Sequence, residues 1–182
     1  MQRRKFLTNS SVVLALASTA LRANAKSASK SFIVKAGEAR FGIHTPFMGV
    51  NPNDVKISGK DTDGQLAVFE YIGTQKVGPS LHLHFDQDEI FNVVEGEYLF
   101  QVGEKQETLR AGDTIFLPRQ IPHTWIQLSD RGKLTYFLQP AGKMEEFFLT
   151  MNKFKEKPTM EEMNKIHAAH GMKVIGPPLS LK

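Results

Sequence analysis

The feature that most limits the fold of this chain is a short histidine-rich run, from His82 to Glu89. Alternate residues of a β-strand point to the same face, so His82 and His84 project together. The segment 85–88 can turn the chain, which lets Glu89 open the next strand and face back inward. His123 follows later, after Pro118. If these four side chains bind one divalent metal ion, the fold must bring separate strands together around them.

The types of ligand available narrow the metal chemistry. The chain has no cysteine, which excludes disulfides, zinc ribbons, iron–sulfur clusters and thiol catalysis. Three neutral imidazoles and one carboxylate suit a first-row divalent ion, and a metal that prefers six ligands keeps open positions for a substrate or oxygen. His44, His167 and His170 have no second ligand at metal spacing, and we interpret them as structural or simply hydrogen-bonded.

The first 25 residues have the pattern of an export signal. Arg3-Arg4-Lys5-Phe6-Leu7 is followed by an apolar stretch over residues 12–21 and by Ala23-Asn24-Ala25, a small-residue cleavage site. The apolar stretch is too short for a stable membrane span, which needs about 20 apolar residues. The paired arginines resemble the twin-arginine signal. We therefore predict an exported protein, periplasmic or extracellular, that uses the twin-arginine machinery; the alternatives are an ordinary secretory signal or a basic tail.

The twin-arginine route carries proteins that are already folded, and this affects which metal is expected in the site. Copper and zinc outcompete manganese and iron at most sites built from histidine and carboxylate groups. Folding before export lets the cytoplasmic metal supply decide, which favours manganese or iron. Nickel, copper, cobalt and zinc are the alternatives.

The charge of the chain gives no indication of a nucleic-acid partner. The formal net charge is +4, but the first 25 residues contribute four basic residues and no acidic one. Without them, 19 Lys and Arg balance 19 Asp and Glu. A neutral body without a basic block lacks the electrostatic footprint of a DNA- or RNA-binding protein.

From residue 26 onwards the pattern is that of an all-β protein. Short runs with a period of two, or short apolar runs, alternate with Gly- and Pro-containing turns, which is typical of a sandwich or barrel. Strands are predicted over residues 31–36, 41–45, 55–58, 66–72, 90–94, 98–102, 106–109, 114–117, 124–128 and 134–138. We predict one barrel domain over residues 26–142.

Residues 143–182 have a different pattern. Helices are predicted over residues 143–152 and 159–170, the second with a capping box at Thr159-Met160-Glu161-Glu162 and a stop at Gly171. Gly176-Pro177-Pro178 is expected to end regular structure. The helices are too short for a separate domain, so we predict a helical tail packed on the barrel.

The spacing of the candidate ligands resembles the first motif of the cupin superfamily. That motif is Gly, then His-x-His, three or four residues, Glu, six residues and Gly. The matching positions are Gly78, His82, His84, Glu89 and Gly96. Gly78 lies three residues before His82, where the common pattern has five.

The second cupin motif matches at Gly112, Pro118 and His123. Gln120 stands where the pattern has Gly, and Gln127 stands where it has Asn. The resemblance covers about residues 65–140. It implies a small antiparallel jelly-roll barrel that encloses a metal held by the three histidines and the glutamate of the two motifs.

A further resemblance is to single-domain cupins of the cupin_2 type described as quercetin-dioxygenase-like. The stretches 56–64 and 170–179 are similar to theirs. This implies a metal-dependent dioxygenase of a small aromatic or enolic substrate, with Glu89 as a metal ligand that also accepts the substrate hydroxyl proton. The candidate substrate pocket consists of Trp125, Phe69, Phe91, Phe100, Tyr136 and Gln127, although most of these aromatic side chains also suit a barrel core.

Two other functions are compatible with the same site. A cupin of this kind can be an isomerase or lyase that needs no oxygen, or a sugar-binding or sensing protein without turnover. Fold alone does not decide between these functions. By analogy with other barrel cupins, a homodimer is also expected.

Overall fold

The computed structural model of the protein describes residues 30–156 and 158–181. The predicted export signal at residues 1–25 lies outside these ranges. Within them, the chain has ten strands and two helices, none of the helices long and apolar enough to cross a membrane. In chain order they are β1 (Asn53–Ile57), β2 (Ala67–Gly73), β3 (Ser80–His84), β4 (Asp88–Glu95), β5 (Glu97–Val102), β6 (Lys105–Arg110), β7 (Thr114–Leu117), β8 (His123–Gln127), β9 (Gly132–Gln139), α1 (Met144–Met151), α2 (Met160–Ala169) and β10 (Met172–Pro178).

The strands form two antiparallel five-stranded sheets. One sheet has the order β1-β2-β9-β4-β7 and the other the order β10-β3-β8-β5-β6. Alternate residues of each strand point into the space between the sheets, where the aromatic and aliphatic core lies. The predicted jelly-roll barrel with a short helical extension is confirmed.

The predicted strands at residues 31–36 and 41–45 are wrong, because neither segment joins a sheet. Turns occur at 36–37 and around Gly42, which has a φ of +68°. The Arg40 guanidinium lies 3.7 Å from the centre of the Phe32 ring and also bonds to Asp61. Side-chain contacts of this kind attach the segment to the barrel without strand pairing, so its apolar pattern gave a false signal.

Both helices of the C-terminal extension lie where the sequence predicts them. The capping box of α2 is present: Thr159 Oγ1 accepts a hydrogen bond from the N–H of Glu162, whose carboxylate in turn accepts from the N–H of Thr159. Helix α1 packs on the barrel, with the Phe148 ring 5.4 Å from the Phe69 ring.

The extension also contains a strand that the sequence analysis did not predict, and regular structure ends with it at Pro178, within the predicted Gly176-Pro177-Pro178 stop. Strand β10 pairs with β3, placing Met172 opposite His84 and Val174 opposite His82. It is an edge strand, and its register shifts around Gly176 and Pro178. Proline is tolerated at such an edge because no further strand needs its missing N–H. The C-terminal residues therefore border the strand that carries the histidine pair.

Candidate metal site

The four predicted ligands meet inside the barrel. One ligand atom from each of His82, His84, Glu89 and His123 can be chosen so that all lie within 4.8 Å of one another. The four residues are 7%, 0%, 4% and 1% exposed, respectively. The predicted convergence is confirmed.

The two sheets place these side chains from opposite sides. His82 and His84 lie two residues apart on β3, and His123 stands directly opposite His82 on the neighbouring strand β8. The turn after His84 carries the chain into the other sheet, where Glu89 lies near the start of β4. The site therefore lies between the sheets.

Backbone carbonyl groups fix the protonation of two imidazoles. Nδ1 of His82 lies 2.8 Å from the carbonyl oxygen of Ser80, and Nδ1 of His123 lies 3.0 Å from that of Ile121. A carbonyl oxygen only accepts, so the proton of each neutral ring must be on Nδ1. The other ring nitrogen, Nε2, then carries a lone pair that can bind a metal.

A side-chain amide does the same for His84. Nε2 of Gln87 donates to the carbonyl oxygens of Ala141 at 2.7 Å and Pro140 at 3.3 Å. These bonds leave the amide oxygen of Gln87 facing Nδ1 of His84, at 3.1 Å. Since that oxygen only accepts, His84 also has its proton on Nδ1 and a lone pair on Nε2.

The resulting arrangement of acceptors calls for a cation. Oε2 of Glu89 lies 3.2 Å from Nε2 of His123 and 3.9 Å from Nε2 of His84. Within the described parts of the chain, both of these imidazole nitrogens are buried without a hydrogen-bond partner. Buried acceptors that face one another are costly unless a positive group lies between them.

The distances fit a first-row divalent ion. Two atoms that each lie about 2.1 Å from one ion are at most about 4.2 Å apart. The longest pair in the observed group, which is within 4.8 Å, would need to shorten by up to about 0.6 Å even for two ligands on opposite sides of the ion. Three imidazole nitrogens and one carboxylate suit such ions, and the residues present therefore fit the metal that the sequence predicts.

Burial keeps the imidazoles ready to bind. It lowers the pKa of His82 well below its ordinary value, and the neighbouring His123 and His84 rings act in the same direction. Burial also lowers the pKa of His84, although the Glu89 carboxylate opposes this effect. A metal competes with protons for these nitrogens, so a lowered pKa favours metal binding near neutral pH.

The predicted pocket residues lie in the barrel core. Trp125 is two residues along β8 from His123, and its ring centre is 5.0 Å from that of Tyr71. Tyr136 stacks on two further members of the predicted pocket, Phe69 and Phe91, with ring centres 5.0 Å and 4.9 Å away. These rings form an aromatic layer beside the site, and their contact with a substrate stays a prediction.

Tyr136 is the polar member of this layer. Its hydroxyl donates to Oδ1 of Asn53 at 2.7 Å. Burial and the Glu89 carboxylate raise the pKa of Tyr136 well above its ordinary value, so the phenol keeps its proton.

Phe100 belongs to the core, and Gln127 lies apart from the ligands. Phe100 is fully buried and packs against Phe91. Gln127 is four residues from His123, which corresponds to about 13 Å along a strand. Its amide donates to the carbonyl oxygens of Gly73 and Ser129. The structure does not bring Gln127 to the metal ligands.

Two residues near the site were not identified from the sequence. The sequence indicated only that Gln87 is part of a turn. Its bonds to Pro140 and Ala141 join positions more than 50 residues apart, so no local pattern shows them. His167 was interpreted as a structural helix residue, but its ring centre lies 6.3 Å from that of His82. The pairing of β10 with β3 and the packing of α2 against β10 bring the two together.

The other two histidines have local partners. Nδ1 of His44 lies 3.0 Å from Oδ1 of Asp54, and Nδ1 of His170 lies 2.7 Å from the carbonyl oxygen of Ile166. Neither belongs to the group of converging ligands.

Comparison with known protein families agrees with this architecture. Residues 68–138, which carry all four ligands, match the family model described as "Cupin domain". This match lies within the barrel and covers less than half of the chain. No curated protein sequence matches the chain.

Solved structures show the same cupin fold. KdgF from Halomonas sp. is 15% identical with a TM-score of 0.52, and the match covers 61% of this chain and 94% of that chain. An RmlC-like cupin from Shewanella frigidimarina is 18% identical with a TM-score of 0.50, covering 62% of this chain and 95% of the other. At these identities the likeness concerns the fold alone.

Proposed function

We propose that this protein is a metal-dependent dioxygenase of a small aromatic or enolic substrate. The proposal is carried by the buried convergence of three imidazole lone pairs and the Glu89 carboxylate. The aromatic layer of Phe69, Phe91 and Tyr136 begins at Phe91, two residues along β4 from Glu89, and supplies apolar surface near this group. A planar, largely apolar substrate suits such a surrounding better than a sugar does.

A bound divalent ion would acidify an enol or phenol that coordinates it and provide a position for oxygen. In this assignment His82, His84 and His123 hold the ion through Nε2. Their Nδ1 bonds keep the three rings in position, so the geometry does not need to be built when the ion binds.

In this proposal Glu89 is both a metal ligand and a proton acceptor. Its carboxylate lies within the ligand group, so it can receive a proton from a substrate hydroxyl. Tyr136 keeps its own proton because burial raises its pKa, which removes it as a competing base.

Oxygen uptake tests the proposal. The protein is loaded with manganese or iron and offered a panel of flavonols and smaller enols, with Glu89→Gln as the variant. Oxygen uptake by the wild type, reduced at least about 100-fold in Glu89→Gln, is the expected result. Turnover that proceeds equally well without oxygen would instead identify an isomerase or lyase. Binding without any turnover would identify a binding protein.

We further propose that residues 1–25 are a twin-arginine signal and that the protein is exported. The supporting features are the Arg3-Arg4 pair, the short apolar stretch and the Ala23-Asn24-Ala25 site. Replacing Arg3 and Arg4 by lysine should retain the protein in the cytoplasm, as shown by cell fractionation. Manganese or iron is the expected metal in the exported wild type. Stoichiometric zinc or copper would contradict the proposed loading before export.

A further inference from the structure

His167 is brought to the metal site by the C-terminal extension. It lies on α2, which leads through Gly171 into β10, the strand that borders the histidine pair on β3. Its side chain is 5% exposed, and its ring centre lies 6.3 Å from that of His82 with the planes at 71°. It is not one of the four converging ligands, so it lies just outside them.

The protonation of His167 is fixed by its own helix. Nδ1 lies 2.7 Å from the carbonyl oxygen of Met163, one turn earlier. Because that oxygen only accepts, the proton of the neutral ring is on Nδ1, and Nε2 carries a lone pair. No donor within residues 30–156 or 158–181 bonds to this Nε2. The residue is only 5% exposed but this nitrogen is not fully buried, so a bound molecule can replace solvent as its hydrogen-bond donor.

The orientation of the ring is also constrained. The Phe147 ring of α1 packs against it edge-on, with centres 4.9 Å apart. Together with the Met163 bond, this contact holds the imidazole between α1 and the metal strand. A hydrogen-bond acceptor held in place next to a metal site is suited to recognising one particular donor group of a bound molecule.

We propose that His167 is a specificity-determining residue of this site, whose Nε2 accepts a hydrogen bond from a second hydroxyl group on the metal-bound substrate. The inference deepens the proposed function and rests on it. It narrows the substrate class to aromatic or enolic molecules that carry a hydroxyl next to the oxygen presented to the metal. A vicinal diol of this kind gives one oxygen to the ion and one O–H to His167.

The chain provides a matched control at the C-cap of the same helix. His170 also has its Nδ1 bonded to a backbone carbonyl one turn earlier, at 2.7 Å, and it also packs on Phe147, with ring centres 5.8 Å apart. It is more exposed than His167 and makes no ring contact with a metal ligand. A replacement at His170 therefore reproduces the loss of an imidazole from α2 without changing the group beside His82.

The test uses the full-length protein loaded with cobalt(II), whose absorption spectrum reports ligands entering the metal site. Catechol and 2-methoxyphenol are the probes, since methylation removes one of the two hydroxyl donors. Affinities are measured for the wild type and for His167→Phe, His167→Gln and His170→Phe. Metal content and thermal unfolding are measured for each variant, so that a folding defect is recognised.

The expected result is that His167→Phe weakens catechol binding about tenfold and leaves 2-methoxyphenol binding within about twofold. His167→Gln, whose amide oxygen also accepts, should recover part of the loss, and His170→Phe should behave like the wild type. Metal content should be equal in all of them.

Equal weakening of both probes, or no weakening of either, would overturn the role of His167 while leaving the dioxygenase proposal intact. Failure of the cobalt-loaded wild type to bind either phenol would overturn both proposals together. A His167→Phe variant that loses the metal would show that His167 positions the metal ligands and does not recognise the substrate. If His167→Phe does not fold, the comparison of the two probes in His167→Gln decides.

Discussion

At the scale of single residues, the site depends on hydrogen bonds that the metal ligands make away from the metal. Two of the three histidines are anchored by backbone carbonyls, which any residue type supplies. His84 depends on one side chain, because only the amide of Gln87 fixes its Nδ1 proton. Gln87 in turn is held by the carbonyls of Pro140 and Ala141. The loop after β9 therefore controls a ligand on β3.

Replacing Gln87 by leucine should weaken metal binding about 10- to 100-fold, because an outer partner of a ligating histidine has an effect of this size. The ligand nitrogens themselves are unchanged, so binding should be weakened and not abolished. Competition with a chelator of known affinity measures the change. Gln106→Leu, at an exposed position on β6, is the control and should bind metal like the wild type. Equal affinities for all three proteins would contradict the role of Gln87.

A substitution at Gly142 tests the hydrogen bond between Gln87 and His84 independently. A Cβ atom added there would lie 2.5 Å from both Cδ and Nε2 of Gln87, and the residue has a φ of +55°. Gly142→Ala should therefore displace the amide and lower metal affinity. Gly103 has a nearly equal φ of +57° but open space around its Cβ position. Both alanine variants should lose stability, by about 1 kcal/mol from backbone strain, and only Gly142→Ala should also lose metal affinity in a chelator titration.

The four ligands could be predicted from the sequence because their spacing is a local property of two motifs. Gln87 and His167 could not, since their partners are distant in sequence and have no required residue type. Gln120 is a departure from the motif that leaves the backbone conformation unchanged. It stands where the motif has Gly, and the structure gives it a φ of +65°. The left-handed backbone that the motif encodes is thus kept without the glycine. The N–H of Gln120 donates to the carbonyl oxygen of His84 at 2.7 Å, which helps hold this conformation.

At the scale of elements, the helices and most strands followed from periodicity, and the errors occurred at the two ends. The segment at residues 31–45 has large apolar residues that stay exposed, among them Ile33 and Ile43. Strand β10 contains Gly176, Pro177 and Pro178, which usually interrupt strands, and only an edge position accommodates them. Local pattern does not show whether a segment has a partner strand. For that reason the sequence predicts the barrel but not the strand that completes its histidine-bearing sheet.

Helix α1 is attached to the barrel by a polar contact in addition to its apolar face. The Glu145 carboxylate accepts hydrogen bonds from Oγ of Ser58 at 2.8 Å and from the N–H of Gly59 at 2.7 Å. Glu145→Ala should therefore lower the free energy of unfolding by about 1.5 to 3 kcal/mol, the range for hydrogen bonds to a charged group. Urea denaturation measures it. Glu146→Ala removes an exposed carboxylate from the same turn and should change stability by less than about 0.5 kcal/mol. A loss in Glu146→Ala as large as that in Glu145→Ala would contradict the assignment.

At the scale of the whole molecule, the candidate site is where the two sheets meet through polar groups. Three ligands come from β3 and β8 of one sheet, and Glu89 comes from β4 of the other. An ion at this position would therefore join the sheets, and metal binding and folding would be linked. Without an ion, the same position holds a buried carboxylate that faces two imidazole nitrogens without a donor. The site then opposes folding, because a buried charge without a partner is unfavourable.

This linkage predicts that Glu89→Gln raises the stability of the metal-free protein but reduces the stabilisation that added metal provides. In the metal-free protein the variant should be more stable than the wild type by about 1 kcal/mol or more, because a neutral amide replaces an uncompensated carboxylate. With metal at 100 times the dissociation constant, the wild type should gain about 2.7 kcal/mol, and the variant, which binds metal more weakly, should gain less. Thermal unfolding with EDTA and with added metal measures both differences. His84→Ala, which removes a ligand but keeps the carboxylate, should show neither the metal-free gain nor the metal-dependent one. A wild type whose unfolding temperature is unaffected by metal would show that no ion joins the sheets, since binding to the folded state alone must stabilise it.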